Sequence, residues 1–429
     1  MTKLVARLVA MVGAMMILMR RFGTDTAAPA LGQTPAIPTA RRQSIPTLKM
    51  PTARGWAANH RPTAAPGLKV NAFASGLDHP RSLTVLPNGD VLTAEAMFAP
   101  GGIKTAFDYA IFATMKRADA VGHSANRVTL MRDADGDGVA EVQQTYLADL
   151  NQPYGTALIG DTLYVANTDA LLAYDYTAGA TSQTGTPRKL ASFKSGGHWT
   201  RNLLVSPDAT KLYITVGSDT NIADNGLQAE DGRACIYEFD IASEQLRPFA
   251  TGLRNPVGMA WEPATQTLWT VVNERDGIGD ETPPDYLTSV QDGAFYGWPF
   301  CYWDRIVDTR VPQDAAKVAA SITPDYALGG HTASLGLAWM PAGTLPGFPD
   351  GMVIGQHGSW NRSTLSGYKV IFVPFTDGKP CGPPRDILTG FLSPDEKASY
   401  GRPVDVALKD GALLVADDVG NVIWRVTPA

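Results

Sequence analysis

The sequence has few cysteines and few charged side chains, and it contains no long apolar run. Three cysteines and no Cys-x-x-Cys-His motif exclude a covalently attached c-type haem, and whether any two cysteines pair is left open. Only 18% of the residues are charged and the formal net charge is -6, which argues against a nucleic-acid-binding protein with its basic surface. Few stretches repeat apolar residues at the helical period of about 3.6, so a helical fold is not expected.

Glycine and proline, by contrast, are abundant, with 42 and 31 residues in a chain of 429. This composition is typical of many short strands that are joined by turns. Hydrophobic residues make up 44% of the chain, which is enough for a substantial core and argues against wholesale disorder.

The first 66 residues differ in composition from the rest of the chain. Residues 1–21 contain an apolar run over 8–19 that is followed by Arg20 and Arg21. This run is too short for a membrane span of about 20 residues but suits a signal peptide, which predicts a periplasmic or secreted protein. A short N-terminal membrane anchor is the alternative. Residues 22–66 carry seven prolines and many alanines, which predicts an extended, disordered linker outside the fold.

One pattern recurs six times beyond residue 68. Each copy has a polar loop, an apolar strand, a turn rich in proline, glycine or aspartate, and a second apolar strand. The copies begin 47 to 78 residues apart, which leaves room for a four-stranded sheet and its loops. Six such units predict an all-β fold, a six-bladed β-propeller of four-stranded antiparallel blades over residues 67–429. The copies span residues 82–95, 155–167, 202–217, 258–273, 336–356 and 405–417.

Two further predictions concern the ends of the domain and one insertion. Residues 68–74 and 422–426 both resemble strands, and pairing them in one blade would close the ring and remove its free edges. Residues 106–120, in a long insertion within the first blade, are predicted to form a helix.

The loops before the first strand of each repeat are rich in basic and amide side chains. In a propeller these loops meet at one end of the central channel, and convergent polar groups there indicate a binding site. The cluster is basic in an acidic protein, which predicts an anionic ligand with carboxylate groups. Any single one of these side chains is better explained by hydrogen bonding to loop carbonyls than by ligand binding. For the set as a whole, a shared binding site is the better explanation. The members are His79, Arg81, Gln152, His198, Arg201, Arg254, Asn255, His331 and Arg402.

A separate acidic motif lies outside these loops. Asp133, Asp135 and Asp137 have the spacing of the first three ligands of a calcium-binding loop, and Gly138 occupies the sixth position. The twelfth position, where such loops carry a bidentate glutamate, is Gln144. The motif therefore predicts either a structural calcium site or a tight hairpin turn.

Several longer stretches carry a resemblance to a known family. They are NQPYG (151–155), GLRNPVGMAW (252–261), NERDGIGDE (273–281), DYLTSVQDGAFYGWP (285–299), GSWNRS (358–363) and GRPVDV (401–406). Together they resemble the soluble-type quinoprotein sugar dehydrogenases, most closely the sorbosone dehydrogenase branch, which use pyrroloquinoline quinone (PQQ) and calcium. The resemblance extends from about residue 68 to the C-terminus, and the six-bladed fold that it implies agrees with the repeat count.

The resemblance implies roles for individual residues. His198 occupies the position of the catalytic base, which takes the hydroxyl proton while hydride passes to the quinone. Arg254 and Asn255 match the pair beside the reactive quinone carbonyl, where an arginine stabilises charge on oxygen. The backbone carbonyls of Arg275 and Asp276 would bind the catalytic calcium. Contacts to the cofactor carboxylates or the substrate are implied for Gln152, His331, Arg362 and Arg402.

The implied function is the PQQ- and calcium-dependent oxidation of a sugar or sugar aldehyde. The electrons would pass to an external acceptor such as a quinone, a cytochrome or a dye. Gly197 stands where glucose-type relatives carry an aspartate, which leaves the identity of the sugar open. The alternatives are a propeller lactonase or other hydrolase, which requires inward carboxylates as metal ligands, and a non-catalytic ligand-binding propeller.

Overall fold

The protein is a ring of six β-sheets in the computed structural model, which describes residues 28–41, 47–98 and 106–429. Each sheet contains four antiparallel strands that follow one another across the blade. This arrangement confirms the predicted six-bladed β-propeller. We number the blades from residue 80 and count the strands of each blade outward from the central channel.

Blades 1 to 3 follow one another along the chain. Blade 1 consists of Pro80–Val85, Val91–Glu95, Arg127–Arg132 and Val142–Leu147. Blade 2 consists of Thr156–Ile159, Thr162–Ala166, Ala170–Asp175 and Arg188–Ser192. Blade 3 consists of Leu203–Val205, Lys211–Val216, Cys235–Asp240 and Gln245–Thr251.

Blades 4 to 6 complete the ring. Blade 4 consists of Pro256–Glu262, Thr267–Val272, Pro284–Val290 and Tyr326–Gly330. Blade 5 consists of Ser334–Met340, Gly351–Gln356, Lys369–Thr376 and Arg385–Thr389, with Lys379–Pro380 paired to its third strand. Blade 6 consists of Pro403–Lys409, Ala412–Asp417, Val422–Pro428 and Leu68–Ser75.

The outer strand of blade 6 comes from the start of the domain. Leu68–Ser75 pairs antiparallel with Val422–Pro428, so the two ends of the domain close the ring as predicted. The backbone N–H of Ala429 also donates to the carbonyl of Gly67 at 3.0 Å. Without this pairing, Val422–Pro428 would be the unpaired edge of a three-stranded blade.

Few elements lie outside the blades. The α-helix Ala106–Arg117 lies between the second and third strands of blade 1, which confirms the helix predicted there. A second helix, Ala315–Ala320, and a 3-10 turn, Leu227–Glu230, lie in loops, and Cys301–Tyr302 forms a small hairpin with Ile306–Val307. All three cysteines are free thiols. No helix in the described part of the chain is long and apolar enough to cross a membrane.

The hydrophobic core lies between adjacent blades. One cluster joins Trp269 and Leu287 of blade 4 to Ile354 and Phe375 of blade 5. The rings of Trp269 and Phe375 meet edge to face, with centroids 5.0 Å apart. Since both faces of a blade are covered by its neighbours, second strands such as Val91–Glu95 are buried along their whole length.

Glycines near the start of the innermost strands let neighbouring blades approach closely. A Cβ on Gly258 would overlap the carbonyl oxygen of Leu335 in the next blade. A Cβ on Gly155 would overlap the backbone at Leu203, and Gly336 meets blade 6 in the same way. The glycine that begins three of the six repeats therefore has a packing role.

Gly258→Ala is expected to lower the free energy of unfolding by about 1–3 kcal/mol, because the added methyl group overlaps backbone of the next blade. Urea unfolding followed by tryptophan fluorescence measures this effect. Gly185→Ala is the matched control, since a Cβ there would approach only the end of the Gln183 side chain, at 3.6 Å. Equal stabilities of the two variants would contradict the packing role.

Parts of the N-terminal region are bound to the propeller, in contrast to the free linker that their composition predicts. Leu31–Gly32 pairs with Tyr326–Gly330 at the outer edge of blade 4, and Thr63–Ala64 pairs with Arg385–Thr389 on blade 5. An edge strand offers unpaired backbone groups to a short strand of almost any composition, which proline and alanine counts do not reveal. The predicted signal peptide, residues 1–21, lies outside the described residues.

Candidate functional site

A cavity of about 620 Å³ lies at one end of the channel. Two sets of loops build it, those that precede the first strand of a blade and those that follow the second strand. Because these two strands are antiparallel, both sets emerge at the same end of the blade. The volume falls within the range of about 300–1,000 Å³ that is typical of small-molecule sites.

His198, in the loop before blade 3, lines this cavity. Its Nδ1 lies 2.9 Å from the carbonyl oxygen of Ser218, and since a carbonyl only accepts, Nδ1 carries the proton and donates it. The lone pair is then on Nε2. Burial and the nearby Arg254 guanidinium lower the pKa of His198 to about 3, so the imidazole is neutral near pH 7. A neutral ring with a fixed tautomer is the form that accepts a proton.

Arg254, in the loop before blade 4, is held rigidly at the cavity wall. Its guanidinium donates to the backbone carbonyls of Asn221 at 3.1 Å, Asn273 at 3.2 Å and Glu274 at 2.8 Å. Its Nη2 also lies 3.5 Å from a carboxylate oxygen of Asp276. These contacts fix the position of the positive charge before any ligand arrives.

Asn255 lies beside His198 because the residue between them in space is a glycine. A Cβ on Gly217 would overlap both the Asn255 side-chain oxygen and the Cβ of His198. The Asn255 Oδ1 is buried, and no donor among the described residues reaches it. An unsatisfied buried acceptor costs about 1–3 kcal/mol, which a donor on a bound ligand would offset.

Asp276 and His331 form a buried ion pair in the cavity wall, with Nδ1 of His331 3.4 Å from the Asp276 carboxylate. Burial alone would lower the pKa of His331, but the hydrogen bond and charge of Asp276 outweigh it and raise that pKa. Burial alone would raise the pKa of Asp276, but His331 and Arg254 lower it to about 2. Each member of the pair therefore stabilises the charged form of the other.

Arg402, in the loop before blade 6, lines the cavity without a counter-charge. Its Nε and Nη2 donate to the carbonyls of His357 at 3.1 Å and Gly358 at 3.4 Å, and its guanidinium lies 5.8 Å from the ring centre of Tyr368. In the part of the chain that the structure describes, no carboxylate forms an ion pair with it. A buried guanidinium without an acid favours an anionic ligand.

A third cavity histidine, His357, lies between Arg402 and an ion pair. The Asp418 carboxylate accepts a hydrogen bond from Nε2 of His357 at 2.8 Å and pairs with Arg81. Burial would raise the pKa of Asp418, but the attraction of His357 and Arg81 holds it well below its usual range. Burial and the charge of Arg402 lower the pKa of His357 to about 3, so His357 is a neutral donor.

The neutral His357 makes the fold sensitive to acid. Its folded pKa of about 3 lies below the unfolded value of about 6.5, so between these values only the unfolded state binds the proton. Its contribution to stability is complete above about pH 6.5 and is lost as the pH falls toward about 3.

The variant His357→Gln cannot titrate and should therefore not lose this contribution to stability as the pH falls. The difference in unfolding free energy between wild type and variant should shrink by up to about 1.4 kcal/mol per pH unit between about pH 6 and pH 4. Urea unfolding at several pH values measures the difference. A difference that stays constant over this range would show that His357 does not titrate as its burial requires.

Gln152 and Arg362, which the resemblance placed at the ligand, do not line the cavity, and neither does Arg275, whose backbone carbonyl it placed at the metal. Gln152 donates to a loop carbonyl at 2.9 Å. Arg362 is paired with Glu281, and Arg275 is buried in an ion pair with Asp308. Their positions in the sequence do bring them near the channel end, but their side chains turn into the surrounding loops.

Two more residues from the polar loops also bond carbonyls. Arg201 is fully buried and donates to the carbonyls of His198, Thr200 and Lys194. His79 bonds the carbonyl of Asp119. These two side chains therefore bond loop carbonyls, which was the alternative explanation for single members of the set.

Of the two backbone carbonyls expected to bind calcium, that of Asp276 does not fit a metal ion. The Asp276 carbonyl accepts hydrogen bonds from Nε and Nη2 of Arg275 at 3.1 and 2.9 Å and from Asn221 at 3.1 Å. An oxygen that is surrounded by a guanidinium group is not open to a cation. The same loop contributes two acidic residues, Glu274 and Asp276, to the lining of the cavity. Burial raises the pKa of Glu274 to about 7.

The acidic loop 133–138 belongs to the outer hairpin of blade 1 and does not line the cavity. Asp133, Asp135, Asp137 and Glu141 each bring one oxygen within 4.8 Å of the others. Backbone N–H groups of the loop donate to Asp133 and Glu141, as in a tight turn. Gln144 lies in the following strand, and Glu141 was not among the expected ligands. A structural calcium ion here stays a prediction.

Several cavity residues were missed because only the loops before the first strands were considered. His357 and Asn361 follow the second strand of blade 5, and Asn221 follows that of blade 3. In an antiparallel hairpin the end of the second strand lies beside the start of the first, so the repeat itself contained the missing signal.

The fold and the cavity define a six-bladed propeller with a site of small-molecule size, lined by charged and histidine side chains, at one end of its channel. Residues 62–429 match the family model described as TrAA12-like. The chain belongs to this family of propellers, which are similar to PQQ-dependent sugar dehydrogenases.

Relatives with names that state an activity are distant. A PQQ-dependent pyranose dehydrogenase of Coprinopsis cinerea is 24% identical over 355 residues, which are 72% of this chain and 44% of that protein. This chain thus spans less than half the length of that curated relative. The holo form of a pyranose dehydrogenase PQQ domain from the same fungus superposes with a TM-score of 0.67 at 22% identity, covering 89% of this chain and 100% of that one.

A second solved structure is the calcium structure of a Trichoderma reesei carbohydrate-active enzyme of family AA12. It superposes with a TM-score of 0.70 at 22% identity and covers 88% of this chain and 100% of that one. At this level of identity the structural similarity establishes the fold.

Proposed function

We propose that the protein oxidises a sugar or sugar aldehyde, with PQQ as its bound cofactor and His198 as the base that removes the hydroxyl proton. The observation that carries the proposal is the presence of a neutral histidine and an uncompensated cation, Arg402, in one cavity of small-molecule size. Membership of a family of oxidoreductase-like propellers supports the reaction class.

The cavity suits an anionic, hydrogen-bonding cofactor. Arg402 offers its charge to a carboxylate, the fixed guanidinium of Arg254 faces the same space, and Asn255 supplies an amide whose oxygen has no protein donor among the described residues. Bound PQQ would supply the two-electron acceptor that no side chain of the chain provides.

The roles of the protein groups follow from their contacts. The Ser218 carbonyl holds Nδ1–H of His198, so the proton of the substrate hydroxyl passes to Nε2. Arg254 needs no reorganisation to stabilise negative charge that develops on an oxygen in the cavity. Negative charge in the cavity would also raise the pKa of His198 above its value of about 3, toward the working pH of a base.

We also propose the branch of the family, the electron acceptor and the location of the protein. The sorbosone dehydrogenase branch is proposed from the sequence stretches alone, and an external electron acceptor and a periplasmic location are proposed with it. Calcium enters the proposal only through the carboxylates of Glu274 and Asp276, because oxygen ligands suit Ca²⁺ and the Asp276 carbonyl is occupied. No step of the reaction is assigned to the ion.

Adding PQQ to the purified protein, with calcium in one sample and a chelator in another, tests the proposal. The expected result is a cofactor absorption spectrum that changes on addition of one or more sugars from a panel of aldoses and sorbosone. Failure of the protein to take up micromolar PQQ in either sample would exclude the function. A hydrolase is not favoured, because no group of three metal-binding side chains converges in the described part of the cavity.

A further inference from the structure

The cavity is bordered by a segment that precedes the propeller. We call residues 47–56 the N-terminal strap. Its backbone N–H groups at Lys49, Thr52 and Arg54 donate to carbonyls of the propeller loops at 2.8 to 2.9 Å, and Thr52–Ala53 pairs in parallel with Ala398–Ser399. The strap is therefore hydrogen-bonded to the propeller along its length and lies beside the loop that carries Arg402.

Side chains at both ends anchor the strap. Lys49 donates to the carbonyl of Ser363 at 2.6 Å and forms an ion pair with Glu396. At the other end Trp56 packs against Phe391, with ring centres 5.5 Å apart, and donates to the buried Asp417 at 2.7 Å. Two anchors some seven residues apart hold the intervening backbone in one place.

The same Asp417 carboxylate connects the strap to the cavity. Its second oxygen accepts the backbone N–H of Arg402 at 2.8 Å. Trp56 and Arg402 are thus held by one side chain, and the position of the strap is fixed relative to the cation that lines the site.

Between the anchors, Met50 and Pro51 line the cavity. The helix of the blade 1 insertion also contributes Ile111 and Met115, and Trp360, in a loop of blade 5, adds an aromatic ring that is 40% exposed. The arginines of the lining are buried, whereas Met50, Ile111 and Met115 are only half-buried. The cavity therefore has charged groups at its base and an apolar rim. The strap also precedes the part of the chain that matches the family, which begins at residue 62.

We propose that the strap sets the size of the substrate, with Met50 and Pro51 restricting the cavity to a single sugar ring. This inference rests on the proposed function. The polar base has room for a cofactor and a small polyol, whereas a second sugar unit would have to pass the apolar rim, where its hydroxyl groups lose water without gaining donors or acceptors. The substrate class is then a monosaccharide or its aldehyde, and not an oligosaccharide.

The test compares the double variant Met50→Ala/Pro51→Ala with wild type and with Arg54→Ala. Arg54 is exposed and bonds the propeller through its backbone, so its side chain is a matched control on the same strap. Lys49→Ala, which removes one anchor, is a second way to open the rim. The measured quantity is kcat/KM of the PQQ-loaded enzyme for two sugars. One is the monosaccharide that wild type oxidises best, for example glucose, and the other is a disaccharide of the same sugar, for example cellobiose.

Opening the rim should raise kcat/KM for the disaccharide about tenfold relative to the monosaccharide, with the affinity for PQQ unchanged. Both rim variants should shift the ratio, and Arg54→Ala should not. A ratio equal to that of wild type in both rim variants would overturn the inference while leaving the proposed function intact.

Hydrogen exchange of the cofactor-free protein gives a readout that needs no activity. Slow exchange of the amides of Lys49, Thr52 and Arg54 is expected, and rapid exchange would show that the strap is not bound, which also overturns the inference. If wild type fails to bind PQQ or is reduced by no sugar, the proposed function itself fails, whatever the exchange data show.

Discussion

Replacing His198 by alanine is expected to slow the reduction of bound PQQ by sugar by about 10²–10⁴-fold while changing PQQ affinity by less than about threefold. The reason is the fixed tautomer, because Nδ1–H is committed to the Ser218 carbonyl and only Nε2 is left to receive the proton. Cofactor binding should survive because the ring is neutral and contributes no charge to an anionic ligand. Stopped-flow absorbance of the loaded protein measures the reduction.

His123→Ala is the control for this experiment. His123 is exposed and does not line the cavity, so its loss should alter neither rate nor affinity. A His198→Ala enzyme that is reduced at the wild-type rate would remove this residue from the role of base. A variant that no longer binds PQQ would instead assign His198 to the binding of the cofactor.

Replacing Arg254 by methionine should have the second large effect, on stability and on cofactor binding together. Removal of the guanidinium takes a donor from the carbonyls of Asn273 and Glu274 and leaves Asp276 with one cationic partner, His331, instead of two. Breaking a buried ion pair in this way costs about 3–5 kcal/mol. PQQ affinity should fall about 30-fold or more, since a buried charged contact to a ligand is worth at least about 2 kcal/mol. Urea unfolding and a PQQ titration measure the two effects separately.

Two further variants separate the role of the charge from that of the planar guanidinium group and provide a control. Arg254→Lys keeps the charge but not the planar fork that reaches several carbonyls, so it should recover part of the affinity and little of the stability. Arg188→Ala removes an exposed arginine whose partner Glu244 is also exposed, so it should leave both the stability and the PQQ affinity almost unchanged. Wild-type PQQ affinity in Arg254→Met would show that this residue only supports the loops.

The blades could be predicted from the sequence because each repeat carries its own physical signature. The alternation of loop, strand, turn and strand recurs, and in three repeats the leading glycine is required by contact with the next blade. The closure of the ring was equally clear, since the last repeat lacks a fourth strand and Leu68–Ser75 precedes the first repeat. Local periodicity and close packing are properties that a sequence records directly.

The site was only partly predictable, because a local sequence pattern does not show in which direction a long side chain points. His198, Arg254 and Arg402 reach the cavity, whereas Arg275 and Arg362 come from neighbouring positions and turn into ion pairs with buried acids. An arginine in a polar loop has both options, and the choice depends on an acid that is distant in sequence. The resemblance supplied residue identities but not the orientation of these side chains.

The N-terminal contacts could not be predicted for a different reason. Met50 and Pro51 belong to a segment rich in proline and alanine, and nothing in its composition reveals the edge strand or the loop to which it binds. Only the backbone groups that the propeller leaves unpaired determine where such a segment lies.

The pairing of Leu68–Ser75 with Val422–Pro428 also has a consequence for synthesis of the chain. At translation rates of about 5–20 residues per second, roughly 20–70 s separate the emergence of the first of these strands from that of the second. Throughout that interval Leu68–Ser75 lacks the strand with which it pairs, and the nascent protein exposes unpaired backbone groups. A ribosome that stops before Val422–Pro428 is made therefore releases an open ring, which quality-control proteases should recognise.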